Sequence, residues 1–147
     1  MDSSLAKDFD CGCRKNDPGP VPFTANMMQT SLQNQNFRAA VWTGTHLQWT
    51  VMCIPVCGEI GLELHPNTDQ LIRIEGGQAT VYLGKSREKL TFRRELHVGD
   101  AVLVPCGTWH NVVNTGNQAL KLSSLYAPAQ HPRGIVHRTK ADAEKEE

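Results

Sequence analysis

The sequence predicts an all-β fold, a double-sheet sandwich or barrel for which a jelly roll is the best-fitting architecture. Short runs of alternating or β-branched residues, about ten in all, recur at intervals of roughly 8 to 12 residues. Glycine, proline or asparagine stands between most of these runs, as tight turns require. With 147 residues, the chain can bury one sizeable core, so we expect a single domain of this class.

Three parts of the chain differ in composition. Residues 1–36 are expected to form an N-terminal arm, residues 37–128 the β-barrel and residues 129–147 a C-terminal tail. Closely spaced prolines oppose regular structure in the first part of the arm, which is either frayed or laid across a partner subunit. One short helical turn is expected near Met27, and a short helix after a possible cap at Thr139.

The barrel segment divides into strands and turns. In the second predicted strand Gln48, Thr50 and Met52 share one face, and Gln48 points either into a cavity or into solvent. The predicted strands span residues 37–42, 46–54, 60–65, 70–75, 78–83, 90–96, 101–104, 110–114 and 119–127.

The charge and the cysteine content of the chain limit the classes of function that it can have. The chain has 15 basic and 15 acidic residues, and no basic stripe with interleaved aromatics points to nucleic acid. No apolar run is long enough to span a membrane, and five cysteines without a secretion signal fit a reducing compartment. We therefore expect a cytoplasmic protein. Cys11 and Cys13 are expected to have no function, because no second cysteine pair with zinc-site spacing follows.

One polar cluster stands out in the stretch from Gly58 to Gly77. Glu63 and His65 are two residues apart in a predicted strand, so their side chains should lie side by side. After a turn at Pro66 the next strand is expected to run back alongside, which would make Gln70 the nearest further oxygen donor. These three side chains are candidate ligands of a metal ion or a substrate.

A second stretch, from Gly99 to Asn114, supplies a fourth candidate. An apolar run ends at Pro105 and Gly107, after which His110 opens a β-branched run. His110 is therefore expected at the start of a strand, directly behind a tight turn.

These two stretches resemble the two sequence motifs of the cupins. The second matches the family pattern G-x5-P-x-G-x2-H-x3-N at every fixed position. The matching residues are Gly99, Pro105, Gly107, His110 and Asn114. The resemblance covers roughly residues 37–127 and implies a single cupin domain, a double-stranded β-helix of jelly-roll type.

The first motif departs from the usual cupin pattern at two ligand positions. Glu63 stands where the family has its first histidine and Gln70 where it has its glutamate, whereas His65 keeps the second histidine. The resemblance thus implies a metal-ligand set of Glu63, His65, Gln70 and His110. Phosphomannose isomerases of the same superfamily are similar in using glutamine, glutamate and two histidines. This likeness concerns the ligand inventory and does not identify a substrate.

Such a donor set suits Mn, Fe, Co, Ni or Zn as a divalent cofactor. We therefore predict a metal-binding enzyme that acts on a small polar molecule. The metal would serve either as the Lewis acid of a sugar or hydroxy-carbonyl isomerase or as the oxygen-activating centre of a dioxygenase. Glu63 is the candidate general base if it leaves the metal. A non-catalytic module that binds or senses a small ligand or metal, and a purely structural barrel, remain alternatives.

For residues outside the two motifs, the sequence supports only general expectations. Tyr126 is expected to fill the core, as aromatic residues on sandwich strands usually do. His131 and His137 are expected on the surface, although either could fold back over the barrel mouth. A homodimer is expected, because jelly-roll edge strands need a cover.

Overall fold

A computed structural model of the chain describes residues 17–146. Within this range, nine β-strands are accompanied by two short helices, α1 (Met27–Gln33) and α2 (Lys140–Lys145). The strands are β1 (Arg38–Thr43), β2 (Gln48–Ile54), β3 (Asp69–Gly76), β4 (Ala79–Gly84), β5 (Phe92–Leu96), β6 (Ala101–Val104), β7 (Trp109–Asn114), β8 (Leu120–Ala127) and β9 (Val136–His137).

The strands form two antiparallel sheets that face each other. Six strands pair in the order β6-β3-β8-β2-β1-β9, and three pair in the order β5-β4-β7. The predicted all-β jelly-roll class is thereby confirmed. Apolar side chains from both sheets fill the space between them, among them Met52, Ile54, Ile72, Ile74, Val81, Val112, Leu120 and Leu122.

The interior is divided along the strands into a polar half and an apolar half. On β2 the inward residues are first Gln48 and Thr50, then Met52 and Ile54, and all four are buried. Gln48 therefore faces the interior and not solvent. The polar half also receives inward residues of three further strands, namely Gln70 of β3, His110 of β7, and Ser124 and Tyr126 of β8. Buried polar groups are costly, so their concentration at one end points to a function.

The predicted strand at residues 60–65 is wrong. This segment forms only isolated bridges to β7, at Glu59 with Val113 and at Glu63 with His110. Gly61 adopts a φ of 105°, a conformation that interrupts a regular strand and that favours glycine. The segment therefore lies along the outer edge of β7 as irregular extended chain.

The expected pairing of this segment with the strand that carries Gln70 is also wrong. Both edges of β3 are occupied, one by β6 and the other by β8. Gln70 thus belongs to the six-stranded sheet, whereas Glu63 is attached to the three-stranded sheet through β7. The two residues approach the interior from opposite sides.

The segments before and after the barrel pack against it. Helix α1 is attached by a 2.7 Å hydrogen bond between the hydroxyls of Ser31 and Ser123. Thr139 caps α2 in a capping box with Asp142, which confirms the predicted cap. Within residues 17–146 no helix is both long and apolar enough to cross a bilayer. Cys11 and Cys13 lie outside the described residues, and the boundaries at 36 and 128 stay a prediction.

Candidate metal centre

Main-chain hydrogen bonds join the two sequence motifs. Glu63 and His110 exchange two of them, with N···O distances of 2.9 and 3.0 Å. Two residues later, the His65 carbonyl accepts a 2.8 Å hydrogen bond from the Gly107 N–H in the turn before β7. Gly107 has a φ of 76°, which favours glycine at this turn. The backbone thereby fixes Glu63 and His65 next to His110.

The three side chains converge on one point. Glu63 Oε1 lies 3.6 Å from His65 Nε2 and 3.8 Å from His110 Nε2, and the three candidate ligand atoms all lie within 4.8 Å of one another. Ligand atoms that each bind one ion at 2.0–2.2 Å are about 3.0 to 3.4 Å apart. Small side-chain movements would therefore bring these three atoms onto a single ion.

All four predicted ligands carry a buried atom without a hydrogen-bond partner. These atoms are Glu63 Oε1, His65 Nε2, Gln70 Oε1 and His110 Nε2. Buried polar atoms in folded proteins are nearly always paired, so four unpaired ones on these particular side chains require an explanation. A cation that accepts their lone pairs provides one, and the residues present therefore fit a metal ion.

The orientation of His110 suits a ligand. Its Nδ1 lies 2.9 Å from the Thr108 carbonyl oxygen, so Nδ1 carries the proton and donates it to that carbonyl. Nε2 is then left as a lone-pair donor that points to Glu63 and His65. Metal-binding histidines are commonly held in this way by a hydrogen bond from the other ring nitrogen.

Gln70 occupies the facing sheet. Its Nε2 donates a 3.2 Å hydrogen bond to Ser124 Oγ, which leaves Oε1 as the free end of the amide. Gln70 is the cross-strand neighbour of Tyr126, whose ring lies edge-on to His65 with 5.9 Å between centroids. The amide thus lies beside the polar cluster, although its sheet differs from the predicted one.

The protonation states also suit a cation. Burial tends to raise the pKa of the Glu63 carboxyl, but the interaction with His65, 3.6 Å away, and the charge of Arg38 hold this pKa below its usual range. Burial is the main cause that lowers the pKa of His110, against the opposing effects of Thr108 and Glu63. At neutral pH the carboxylate is therefore ionised and the imidazole neutral, as metal binding requires.

Sequence reasoning missed Arg38 and wrongly expected His131 and His137 on the surface, whereas it correctly expected Tyr126 in the core. Arg38 and Tyr126 are buried, with 3% and 1% of their surface exposed. His131 was expected on the surface, yet it packs edge-on against Tyr126 with 5.2 Å between centroids and its Nε2 is 3.3 Å from the Tyr126 hydroxyl. His137 is also buried. No alternation along β1 marks Arg38 as inward, so the sequence carries no signal for it.

Gln48 holds His131 over the cluster. Gln48 Oε1 accepts hydrogen bonds from the N–H groups of Gln130 and His131 at 3.1 and 3.0 Å, and Nε2 donates to the His131 carbonyl at 2.8 Å. Burial, followed by the charge of Arg38, lowers the pKa of His131 to about 3. This imidazole is therefore a neutral hydrogen-bonding group. Burial likewise raises the pKa of Tyr126, so its hydroxyl stays protonated.

Comparisons with known proteins agree with this architecture. The chain is 54% identical over 127 residues to the uncharacterized protein YrkC of Bacillus subtilis (strain 168), covering 86% of this chain and 68% of YrkC. The crystal structure of BH2720 from Bacillus halodurans superposes with a TM-score of 0.87 at 51% identity, covering 88% of this chain and 98% of that one. KdgF from Halomonas sp. is similar in fold alone, with a TM-score of 0.56 at 22% identity over 63% of this chain and 80% of KdgF.

The family assignment rests on the segment that carries both motifs. Residues 50–127, which make up more than half of the chain, match the family model of the cupin domain. This segment includes all four candidate ligands, most of β2 and the six strands from β3 to β8. The chain therefore belongs to the cupin domain family.

Proposed function

We propose that this protein is a metal-dependent enzyme that acts on a small hydroxy-carbonyl compound, with Glu63, His65, Gln70 and His110 holding a divalent ion. The observation that carries the proposal is the set of four buried, unpaired ligand atoms. Two imidazoles, one carboxylate and one amide oxygen suit Mn, Fe(II), Co, Ni or Zn. A single carboxylate does not neutralise such an ion, which when bound would supply Lewis acidity toward a carbonyl or hydroxyl oxygen.

The surrounding side chains support a polar, oxygen-rich substrate. Tyr126 and His131 are neutral hydrogen-bonding groups beside the cluster, and Gln48 holds His131 in place. Glu63 is ionised and lines a cavity of about 150 Å³, so it is the candidate proton acceptor. Isomerisation of a hydroxy-carbonyl compound needs these two functions, a polarised oxygen and a nearby base.

Oxygen activation is the second candidate activity. Glu63, His65 and His110 together are two imidazoles and one carboxylate, the donor set typical of non-haem Fe(II) oxygenases. This candidate requires iron, whereas the Lewis-acid proposal accepts a redox-inert ion. A redox-inert ion such as Zn would therefore exclude oxygen activation, whereas iron would leave both activities open.

Metal content is the first test. The purified protein is analysed for Mn, Fe, Co, Ni and Zn, as isolated and after reconstitution under anaerobic conditions. We expect about one ion per chain in the unmodified protein and in His46→Ala, because His46 is exposed and far from the motifs in sequence. His65→Ala and His110→Ala should lose stoichiometric metal. Retention of one ion per chain by both variants would refute the proposed centre.

Activity assays are the second test. The metal-loaded protein is assayed for isomerisation of small aldoses and ketoses, and for oxygen consumption with phenols and thiols. Turnover that disappears in His110→Ala but not in His46→Ala supports the enzyme. A protein that holds one metal ion but turns over none of these compounds would favour the non-catalytic binding module.

A further inference from the structure

Arg38 is a buried cation without a counter-ion at contact distance. Only 3% of its surface is exposed, and its Nε has no hydrogen-bond partner. No carboxylate of residues 17–146 lies within ion-pair distance of its guanidinium. Arg38 Cζ lies 5.5 Å from the centroid of the Phe37 ring. Burying a charge without a partner is unfavourable, so the position of Arg38 favours binding of an anion.

The guanidinium belongs to the same interior as the candidate metal centre. Arg38 pairs with Met52 on β2 and with His137 on β9, and all three residues are buried. It lines the cavity of about 150 Å³ together with Glu63. Its charge also contributes to the lowered pKa values of Glu63 and His131. An anion bound at Arg38 would therefore lie beside the reacting groups.

Glu63 does not serve as this anion. Its Oε1 is 3.6 and 3.8 Å from the two histidines, and it makes no ion pair with Arg38. A divalent ion at the histidines would compensate the Glu63 charge and add one more positive charge. With metal bound, the interior around Glu63 would then contain two cationic centres, the ion and the guanidinium, and would attract an anion more strongly than without metal.

The same cavity favours a carboxylate over a phosphate. Lys140 at its rim is already paired, because Nζ lies 3.8 Å from both Glu59 Oε1 and Glu144 Oε1. A dianionic phosphate would be repelled by these carboxylates more strongly than a singly charged anion, because it carries twice the charge. A planar carboxylate carries a single charge and matches the fork of the guanidinium.

We propose that Arg38 is the anion-binding residue of this cavity and selects small substrates that carry a carboxylate next to their carbonyl or hydroxyl group, such as 2-oxo and 2-hydroxy acids. This inference rests on the proposed function, because it places the reacting oxygen toward Glu63 and the histidines. It adds the class of substrate, which the ligand set alone does not define.

A pair of probes of similar size tests the proposal. Pyruvate and hydroxyacetone share a methyl ketone, but hydroxyacetone has a hydroxymethyl group in place of the carboxylate. Binding of each is measured by titration calorimetry to the Zn²⁺-loaded and the metal-free protein. We expect pyruvate to bind the unmodified loaded protein at least tenfold more tightly than hydroxyacetone. Equal affinity for the two probes would overturn the proposal without any variant.

Substitution then assigns the effect to Arg38. Arg38→Met should lose at least tenfold in pyruvate affinity, with no change for hydroxyacetone, and Arg38→Lys should retain part of the preference. Arg94→Met is the matched control, because Arg94 is exposed and likewise lies over a phenylalanine ring, that of Phe92. Thermal unfolding of each variant verifies folding. A folded Arg38→Met variant that binds pyruvate like the unmodified protein would overturn the assignment.

Measuring the zinc content of the same samples distinguishes failure of the carboxylate-binding proposal from failure of the proposed metal centre. Stoichiometric zinc without any preference for pyruvate refutes the carboxylate subsite and leaves the metal centre standing. Binding of pyruvate by a protein that takes up no zinc, with loss of that binding in Arg38→Met, supports the subsite and refutes the metal centre.

Discussion

Glu63 and His110 form a closed antiparallel bridge, in which each N–H donates to the carbonyl of the other residue at 2.9 and 3.0 Å. The bridge holds their side chains together although Glu63 belongs to no regular strand. Its effect is to position a carboxylate and an imidazole from distant parts of the chain before any ligand arrives. Preorganisation of this kind lowers the cost of binding.

Replacing the carboxylate by its amide should weaken metal binding. Glu63→Gln keeps the shape of the side chain but removes the one anionic ligand, so we expect the metal Kd to rise by a factor of roughly 10 to 100. Competition titration with a chelator of known affinity measures this change. Glu59→Gln, in an exposed position that pairs with Lys140, should leave the Kd unchanged. An unaltered Kd in Glu63→Gln would show that the carboxylate is not a ligand.

Metal should stabilise the folded chain. Free metal at about 100 times its Kd adds about 2.7 kcal/mol to the free energy of unfolding, or roughly 5 to 10 °C in Tm for a domain of this size. Differential scanning calorimetry with and without the ion measures the shift. His110→Ala should show no such increase. An equal increase in His110→Ala would mean that the ion stabilises the protein from elsewhere.

Loss of the Gln48 amide should loosen the segment over the polar half of the barrel. Gln48→Ala leaves the N–H groups of Gln130 and His131 and the His131 carbonyl without their side-chain partners. We expect the free energy of unfolding to fall by roughly 2 to 4 kcal/mol. Urea denaturation measures it. The exposed side chain of Gln130 provides the control, since Gln130→Ala should cost less than about 0.5 kcal/mol.

His131 should make the metal-free protein sensitive to acid. Its pKa is about 3 in the folded state and about 6.5 in the unfolded chain, so between these values only the unfolded chain is protonated. The contribution of the buried neutral imidazole is complete above pH 6.5 and is lost as the pH falls toward 3.

The matching experiment replaces His131 by glutamine. Between pH 7 and 4 the free energy of unfolding should fall less in His131→Gln than in the unmodified protein, by at most about 3 kcal/mol, because His131 is partly exposed. Urea denaturation at each pH provides the values. His46→Gln, at an exposed position, should follow the unmodified protein. Parallel curves for His131→Gln would contradict the proposed burial of a neutral ring.

Local patterns were sufficient for the fold class and for the candidate ligands. Alternation along β2 grouped Gln48 with Thr50 and Met52 but left open whether this face points inward. Turn residues before His110 located the start of β7 within one residue. Both signals depend on neighbours in the sequence. The pairing of residues 60–65 depends instead on distant parts of the chain. Strands β6 and β8 occupy both edges of β3, and the positive φ of Gly61 interrupts a regular strand.

The rest of the site depends on contacts between distant segments. Gln48 meets His131 across 83 positions of the chain, and the Tyr126 ring meets His65 across the barrel. Nothing near His131 in the sequence marks it as buried. Arg38 follows Phe37 at the start of an otherwise apolar strand, so its inward direction became visible only once β1 was placed between β2 and β9.

Because the interior has an apolar half and a polar half, the same strands provide stability at one end and the candidate binding site at the other. Residues such as Ile54, Ile74 and Leu120 can be exchanged to tune thermal resistance, while the opposite end is redesigned for other small molecules. Libraries that vary only one half should therefore retain the properties encoded by the other. This makes the chain a suitable starting point for laboratory evolution.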